Sequence, residues 1–277
     1  MGRVLAIRAV PAFVGILHSV LDDGGHDLEL CGSNVEAVRS VRARPIDLVI
    51  TDEATSVDED LALAAELDHV RPAVRVLVLA PVAIHADVVD AMRAHVFACF
   101  SAPFDYGEIA AMARNALLDR AGRDGLQVVS GAEHWLTLRV SCHLLTAERL
   151  VRFMTELQTS LPSGERDLLI AAFREMLLNA MEHGAGFDPD KVIEVSAVRT
   201  ARAIVYHFRD PGSGFRRADL KHATPTSSPE AVLETAVHRA EAGLRPGGFG
   251  MLIVREIVDE VVHNERGNEV LLIKHLV

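Results

Sequence analysis

Through residue 119, short apolar runs alternate along the chain with stretches of helical spacing. The apolar runs are Val4–Ile7, Leu28–Cys31, Asp47–Thr51, Val74–Leu79 and Val96–Phe100. Runs of this length that are apolar at successive positions are typical of parallel strands covered by helices on both faces. Between them apolar residues recur at i, i+3 and i+4, as in Asn34–Val41 and Tyr106–Leu118. The pattern predicts a five-stranded, doubly wound parallel sheet of flavodoxin-like type in residues 1–120.

The pattern changes at Trp135, where apolar and polar residues begin to alternate as in a half-solvated antiparallel strand. The strands predicted here are Trp135–Cys142, Lys191–Val198, Arg202–Arg209, Glu260–His263 and Glu269–Leu276. The predicted helices are Ala147–Ser160, Ser163–His183, Pro229–Ala242 and Gly250–Glu260. Strands grouped with helices on one face predict an α+β sandwich with an antiparallel or mixed sheet in residues 134–277. The glycine-rich polar segment 121–133 is predicted to be the linker between the two domains.

The charge balance bears on the choice of partners. There are 39 acidic and 28 basic residues, which give a formal net charge of −11. Because such a surface repels nucleic acid and anionic membranes, we expect neither as a direct partner. The three cysteines lie far apart without metal-binding spacing, and no secretory signal or membrane-spanning stretch is found. A cytoplasmic protein is predicted.

The first half resembles the receiver domains of two-component response regulators. The resemblance is carried by "DLVITDEATS", which contains Asp52 after the third strand, and by "ACFSAPFDYGEIAAMARNAL" after the fifth. In receivers an aspartate at the place of Asp52 accepts a phosphoryl group. The resemblance therefore makes Asp52 the candidate phosphoacceptor.

The other working parts of a receiver are missing from this half. Phosphoryl transfer to a carboxylate requires Mg²⁺, together with a cation and a hydroxyl for the developing charge. Arg8 and Ala9 stand at the place of the metal-binding acidic pair, Ala80 at that of the hydroxyl, and Ala102 at that of the lysine. We expect a pseudo-receiver used for docking or dimerisation, with phosphorylation of Asp52 as the less favoured alternative.

In the second half, the segment "REMLLNAMEHGAG" places polar residues on one helix stripe. Glu175, Asn179 and His183 are spaced four apart. A carboxylate and a carboxamide one turn apart can act as a proton acceptor and as an oxygen ligand for Mg²⁺. Gly184 and Gly186 then end the helix and let the backbone approach a ligand.

Two glycine-containing loops accompany this helix. In "FRDPGSGF", Asp210 follows a strand and can accept hydrogen bonds from an amino group, while Gly212 and Gly214 allow a tight turn. In "RPGGFGMLIVREIVDEV", glycines lead directly into an amphipathic helix, whose N-terminus suits phosphate. Each segment alone is a weak signal, whereas the three in this order are a specific one.

Residues 134–277 resemble the GHKL ATPase superfamily, and within it the anti-sigma-factor serine kinases. The resemblance rests on "EMLLNAMEHG", "DPGSGF" and "GGFGMLIV", which match the N box and two glycine boxes, and on the tail from Gly250. It implies that Glu175 is the general base, that Asn179 holds Mg²⁺, and that Asp210 binds the adenine amino group. The ATP-binding set that it implies is Asn179, Asp210, Gly212, Gly214, Gly247, Gly248 and Gly250.

A lid over the nucleotide is implied for residues 215–247. Lys221 and Arg245 lie in it, either to neutralise phosphate or simply as solvated side chains. The resemblance makes His183 a structural neighbour of the site.

The function predicted is an ATP- and Mg²⁺-dependent serine/threonine protein kinase of the anti-sigma-factor type, acting in partner switching. Its expected partners are a small antagonist protein of STAS type, a sigma factor, and a second copy of the chain. The alternative is a non-catalytic module whose ATP or ADP state controls partner choice. A histidine kinase is less favoured, because His134 and His143 lie in or beside a predicted strand rather than on a dimerising helix. A gyrase-like or chaperone-like ATPase is also disfavoured.

Overall fold

A computed structural model describes residues 2–22, 24–82, 85–118, 125–132, 134–214 and 250–276. The chain divides into two compact units. The first comprises Met1–Gln127 and Glu148–Gln158, and the second comprises Val128–Ala147 and Thr159–Val277. The predicted domain boundaries at 120 and 134 stay a prediction. The first unit extends past residue 120 to Gln127 and includes Glu148–Gln158, and the second unit begins before residue 134, at Val128.

The first unit is a parallel α/β sheet. Its elements are β1 (Arg3–Ile7), α1 (Pro11–Asp22), β2 (Asp27–Cys31), α2 (Asn34–Ala43), β3 (Leu48–Ile50), α3 (Val57–Val70), β4 (Arg75–Ala80), α4 (His85–Arg93), β5 (Ala98–Ser101) and α5 (Tyr106–Leu118). The strands pair in parallel in the order β2-β1-β3-β4-β5. That order is the flavodoxin-like one, so the fold predicted for the first half is confirmed.

Local sequence determines where the helices of this unit begin. Ser33 caps α2 by accepting a hydrogen bond from Glu36 N, and Ser56 forms a capping box with Glu59 at the start of α3. All three residues of the central strand β3 are buried. The loop between β3 and α3, which carries Asp52, therefore starts from a fixed point at the carboxyl edge of the sheet.

The second unit is built on an antiparallel sheet. Its elements are β6 (Leu126–Ala132), β7 (Trp135–Ser141), α7 (Ser163–Asn179), a π-helical turn (Ala180–Ala185), β8 (Val192–Arg199), β9 (Ala203–Arg209), α8 (Gly250–Ile257), β10 (Glu260–His263) and β11 (Glu269–His275). Helix α6 (Leu144–Leu157) begins in this unit, but from Glu148 onward it belongs to the first unit. The order is β10-β11-β9-β8-β7-β6, and the pairs from β10 to β7 are antiparallel. This confirms the predicted sandwich. The predicted helix Pro229–Ala242 lies outside the described residues.

The core of the second unit lies between α7 and one face of the sheet. The alternating residues Leu136, Leu138 and Val140 of β7 are buried. From α7, the ring of Phe173 packs 4.9 Å from Tyr206 and 5.1 Å from Phe208, both on β9. This aromatic cluster fixes α7 against the centre of the sheet and so fixes the position of the polar residues near the end of the helix.

Two features of the second unit differ from the sequence pattern. Residues 126–132, inside the predicted linker, form the edge strand β6. The helix predicted to run to His183 is α-helical only to Asn179 and continues as a π-helical turn to Ala185. Gly186 ends that turn in the left-handed conformation, with a φ of 69°. Among the described helices, none has the length and apolarity needed to cross a membrane.

Candidate functional site

Glu175 lies on the last turns of α7, where α7 packs against α8. Gly250, the first residue of α8, lies so close that a Cβ there would overlap the Glu175 carboxylate. The carboxylate is therefore held at the N-terminal end of α8. Because free N–H groups and the positive end of the dipole favour anions there, a phosphate bound at this end would lie beside Glu175.

Asn179 lies one turn further along α7 and is half-buried. Its side-chain nitrogen makes a long contact of 4.0 Å to the sulfur of Met176. Within the described residues, no group of three His, Cys, Asp or Glu side chains could hold a metal ion. A single amide oxygen nevertheless fits Mg²⁺, since this ion usually keeps several waters and is bound jointly by protein and phosphates.

Asp210 follows β9 and carries the acceptor of the second motif. Its Oδ1 accepts a hydrogen bond from Gly212 N at 2.8 Å, which closes the turn. Burial raises the pKa of Asp210, whereas the hydrogen bond from Gly212 and the charges of Arg266 and His183 act to lower it. A Cβ on Gly184 would overlap the Asp210 side chain, so the π-helical turn and the loop after β9 touch.

The structure thus brings the sequence-predicted residues together in two groups of contacts. Glu175 meets Gly250, and Asp210 meets Gly184 and Gly212. Gly184 was expected to let the backbone approach a ligand; its observed neighbour is instead the Asp210 side chain. The predicted residues Gly247 and Gly248, the lid at 215–247, and Lys221 and Arg245 within that lid lie outside the described residues.

Three residues next to this site were missed by the sequence analysis: Asn264, Arg266 and Asn268. They occupy the turn between β10 and β11. Arg266 and Asn268 contact the loop after β9, and Asn264 is hydrogen-bonded to Asn268. The sequence gives no signal for this contact, because polar residues beside a glycine are typical of any solvated turn. Only the pairing of β11 with β9 brings the turn to Asp210.

In the first unit, the candidate phosphoacceptor Asp52 is 6% exposed. Its Oδ2 forms an ion pair with the guanidinium of Arg8, and its Oδ1 accepts a hydrogen bond from Ala54 N at 3.0 Å. Arg8 itself lies just after β1 with a positive φ of 44°. The positively charged guanidinium of Arg8 thus lies beside the Asp52 carboxylate. Arg8 stands where the resemblance to receivers would place the metal-binding acidic pair.

Comparison with known proteins defines the class of the second unit. Residues 143–274 match the family described as the histidine kinase-like ATPase domain. This stretch contains all the described residues of the site, from Glu175 to Asn268. Residues 143–274 are therefore similar to histidine kinase-like ATPase domains of GHKL type, a class whose members bind ATP, usually with Mg²⁺. No curated protein is significantly similar to the chain as a whole.

Solved structures similar to the chain are receiver domains. The signal receiver domain of an HD domain-containing protein from Pseudomonas fluorescens Pf-5 is 18% identical, with a TM-score of 0.38, over 44% of this chain and 98% of that one. A CheY-like receiver domain protein from Methanospirillum hungatei JF-1 is 16% identical, with a TM-score of 0.38, over 44% and 97%. A response regulator from Burkholderia pseudomallei is 26% identical, with a TM-score of 0.35, over 44% and 72%. The flavodoxin-like fold of the first unit is defined independently by its own strand order.

Proposed function

We propose that the chain is an ATP-dependent serine/threonine protein kinase of the anti-sigma-factor type. The observation that carries the proposal is the placement of the Glu175 carboxylate at the N-terminal end of α8, in contact with Gly250. A domain that only binds nucleotide needs the amide of Asn179, the hydrogen-bond acceptor Asp210 and the glycines. A carboxylate held beside the expected phosphate position adds a proton acceptor.

In the proposed reaction, the hydroxyl oxygen of a serine or threonine attacks the γ-phosphorus of ATP. The new P–O bond forms as the bond from that phosphorus to the β,γ-bridging oxygen breaks, and ADP leaves. Glu175 accepts the hydroxyl proton, while Asp210 accepts hydrogen bonds from the base and so orients the nucleotide. Mg²⁺, held by the side-chain oxygen of Asn179, would offset the charge of the phosphates.

The proposed partners follow from the family resemblance. The acceptor would be a small antagonist protein of STAS type, and the second partner a sigma factor whose binding depends on the nucleotide state. A homodimer is proposed on the same ground. The ion pair between Arg8 and Asp52 supports a docking role for the first unit, because it occupies the carboxylate that phosphoryl transfer would need.

The test is phosphoryl transfer from radiolabelled ATP to a small antagonist protein of STAS type, together with the dissociation constant of ADP. Glu175→Ala is expected to lower the transfer rate by about 10²- to 10⁴-fold, the usual contribution of a general base, without changing ADP affinity more than about threefold. Asn179→Ala is expected to weaken both. Glu165→Ala, which removes an exposed acid from the first turn of the same helix, is the matched control.

An unchanged transfer rate in Glu175→Ala would contradict the role given to this carboxylate. Binding of ADP by the wild-type protein, without transfer to any acceptor tested, would favour the alternative function. In that case the chain would be a module whose nucleotide state selects its partner.

A further inference from the structure

The turn between β10 and β11 continues the sheet pairing onto the backbone of Asp210. Asp210 N donates to Asn268 O at 3.0 Å, one residue beyond the last register pair of β9 and β11. In return, Asn268 Nδ2 donates to Asp210 O at 3.1 Å. The backbone of Asp210 is therefore held on both its N–H and its C=O side.

The orientation of the Asn268 side chain is determined by Asn264. Asn264 Oδ1 accepts hydrogen bonds from the backbone N–H groups of Gly267 (2.7 Å), Asn268 (3.1 Å) and Glu269 (3.3 Å). Because backbone N–H groups can only donate, the oxygen of Asn264 must face them and its Nδ2 must face Asn268 Oδ1, at 3.0 Å. The NH₂ group of Asn268 then faces Asp210 and donates a hydrogen bond to its backbone carbonyl oxygen.

Arg266 holds the following residues of the loop. Its Nη2 lies 3.3 Å from Gly212 O, and its Nε lies 3.4 Å from Ser213 O. Gly214 has a φ of 76°, and a Cβ there would overlap the carbonyl oxygen of Arg266. The loop from Asp210 to Gly214 therefore lies directly on the turn and is bound to it by the guanidinium.

The same guanidinium acts on the charge of Asp210. Burial raises the pKa of this carboxyl, and the positive charge of Arg266 lowers it. His183 in the π-helical turn acts in the same direction as Arg266, and the buried thiol of Cys142, just after β7, also lies close to Asp210. Arg266 thus favours the ionised form of Asp210 against the effect of burial.

We propose that Arg266, supported by Asn264 and Asn268, is a positioning residue that keeps Asp210 placed and ionised as the acceptor for the exocyclic amino group of an adenine base. This inference rests on the proposed nucleotide function. An ionised carboxylate only accepts hydrogen bonds, so it favours the amino group of adenine and disfavours guanine, which presents a carbonyl oxygen at the same ring position. A protonated Asp210 could donate to that oxygen and would lose the discrimination.

The experiment measures ADP and GDP dissociation constants of the full chain between pH 5.5 and 8. It compares wild type with Arg266→Ala, Arg266→Lys and the control Arg202→Ala, which removes an exposed arginine from the turn between β8 and β9 at the other end of the sheet. Hydrogen exchange of the peptide containing residues 210–214 is followed in the same proteins without nucleotide.

Arg266→Ala is expected to weaken ADP binding about three- to tenfold, since two hydrogen bonds to the loop are lost. It should also reduce the preference for ADP over GDP. The pH at which ADP affinity falls on acidification should move upward, because Asp210 then takes up a proton more readily. His183 is unchanged in all these proteins. Arg266→Lys keeps the charge and should restore the pH profile, while Arg202→Ala should match wild type.

An Arg266→Ala protein with the wild-type pH profile and the wild-type ADP preference would overturn the inference, even if its stability were lower. If wild type bound no ADP, the proposed function would fail. Hydrogen exchange would then still decide the positioning part, since faster exchange at residues 210–214 in Arg266→Ala is expected with or without nucleotide, and unchanged exchange would contradict it.

Discussion

Asp60, at the N-terminal end of α3, is a fully buried carboxyl whose replacement by asparagine gives a sharp test of the first unit. Its Oδ2 lies 2.8 Å from Thr51 Oγ1, and its Oδ1 lies 2.7 Å from Thr55 Oγ1. The two threonines flank Asp52 in the loop after β3. The protonation state of Asp60 therefore determines the hydrogen bonds of the loop that carries the candidate phosphoacceptor.

Counting protons shows which form of Asp60 fits this pocket. Thr51 Oγ1 accepts a hydrogen bond from Leu79 N at 3.0 Å and uses its own proton for Asp60. Thr55 Oγ1 lies 2.9 Å from Asp52 O as well as near Asp60, and it has one proton for these two acceptors. If Thr55 donates its proton to Asp52 O, its contact with Asp60 is a hydrogen bond only when Asp60 carries a proton on Oδ1. The substitution Asp60→Asn would reproduce this arrangement, with an NH₂ group in place of the protonated oxygen.

The expected effect of Asp60→Asn on the free energy of unfolding follows from the pKa of Asp60. Burial raises the pKa of Asp60 from 3.8 to about 6, although the neighbouring hydroxyl groups of Thr55 and Thr51 act to lower it. The difference corresponds to about 3 kcal/mol. Below about pH 4 the carboxyl is protonated in the folded and the unfolded chain, so its burial has no ionisation cost. Between about pH 4 and 6 only the unfolded chain ionises, so stability falls as the pH rises, and above about pH 6 the full loss is present.

Asp60→Asn is therefore expected to stabilise the first unit by up to about 3 kcal/mol at pH 7.5 and to have little effect at pH 4. The assay is hydrogen exchange resolved to peptides of β3 and β4 across a urea series, with peptides of the second unit as an internal reference. Asp68→Asn, an exposed acid on the same helix, is the control and should change little. Destabilisation by Asp60→Asn at pH 7.5, or an unchanged dependence on pH between 4 and 7, would refute the proton assignment.

Three further predictions concern the candidate sites. Gly250→Ala is expected to lower the phosphoryl-transfer rate at least tenfold with little change in ADP affinity, because its Cβ would displace the Glu175 carboxylate, whereas Gly164→Ala, which has open space around it, should transfer normally in the same assay. Arg8→Ala leaves the buried Asp52 carboxylate without its ion pair, so it should lower the free energy of unfolding of the first unit by about 1–2 kcal/mol in urea denaturation. Wild-type Asp52 is expected to remain unlabelled by small phosphodonors and Mg²⁺ in mass spectrometry, and a labelled residue would contradict the pseudo-receiver assignment.

Most of the fold follows from the sequence because the signals are local. The five apolar runs of the first half coincide with β1–β5 to within two residues at each end, and their parallel order follows from the alternation with helices. The edge strand β6 was missed, because it is largely exposed and contains Ser130 and Gly131, which favour a loop. The π-helical turn was missed for a different reason, since a period of 3.6 residues continues unbroken through its sequence.

The candidate site was predictable only in part. Glu175, Asn179 and Asp210 stand in motifs whose spacing is visible in the chain, and the family match covers all three. Arg266 and Asp60 owe their surroundings to contacts between segments far apart in sequence, and such contacts leave no periodic signal. The roles proposed for Arg266 and Asp60 depend on which groups donate and accept hydrogen bonds around them in the folded chain, and residue type alone does not give this.

The central claim is that the second unit holds a nucleotide through Asp210 at one end and the N-terminus of α8 at the other. Titration calorimetry of the purified chain with ADP and Mg²⁺ tests it most directly, with Asp210→Ala as the variant and Glu165→Ala, which removes an exposed acid from the first turn of α7, as the control. Saturable binding with one site per chain, retained in the control and lost in Asp210→Ala, is predicted. The absence of binding in wild type, or equal affinity in Asp210→Ala, would contradict the account.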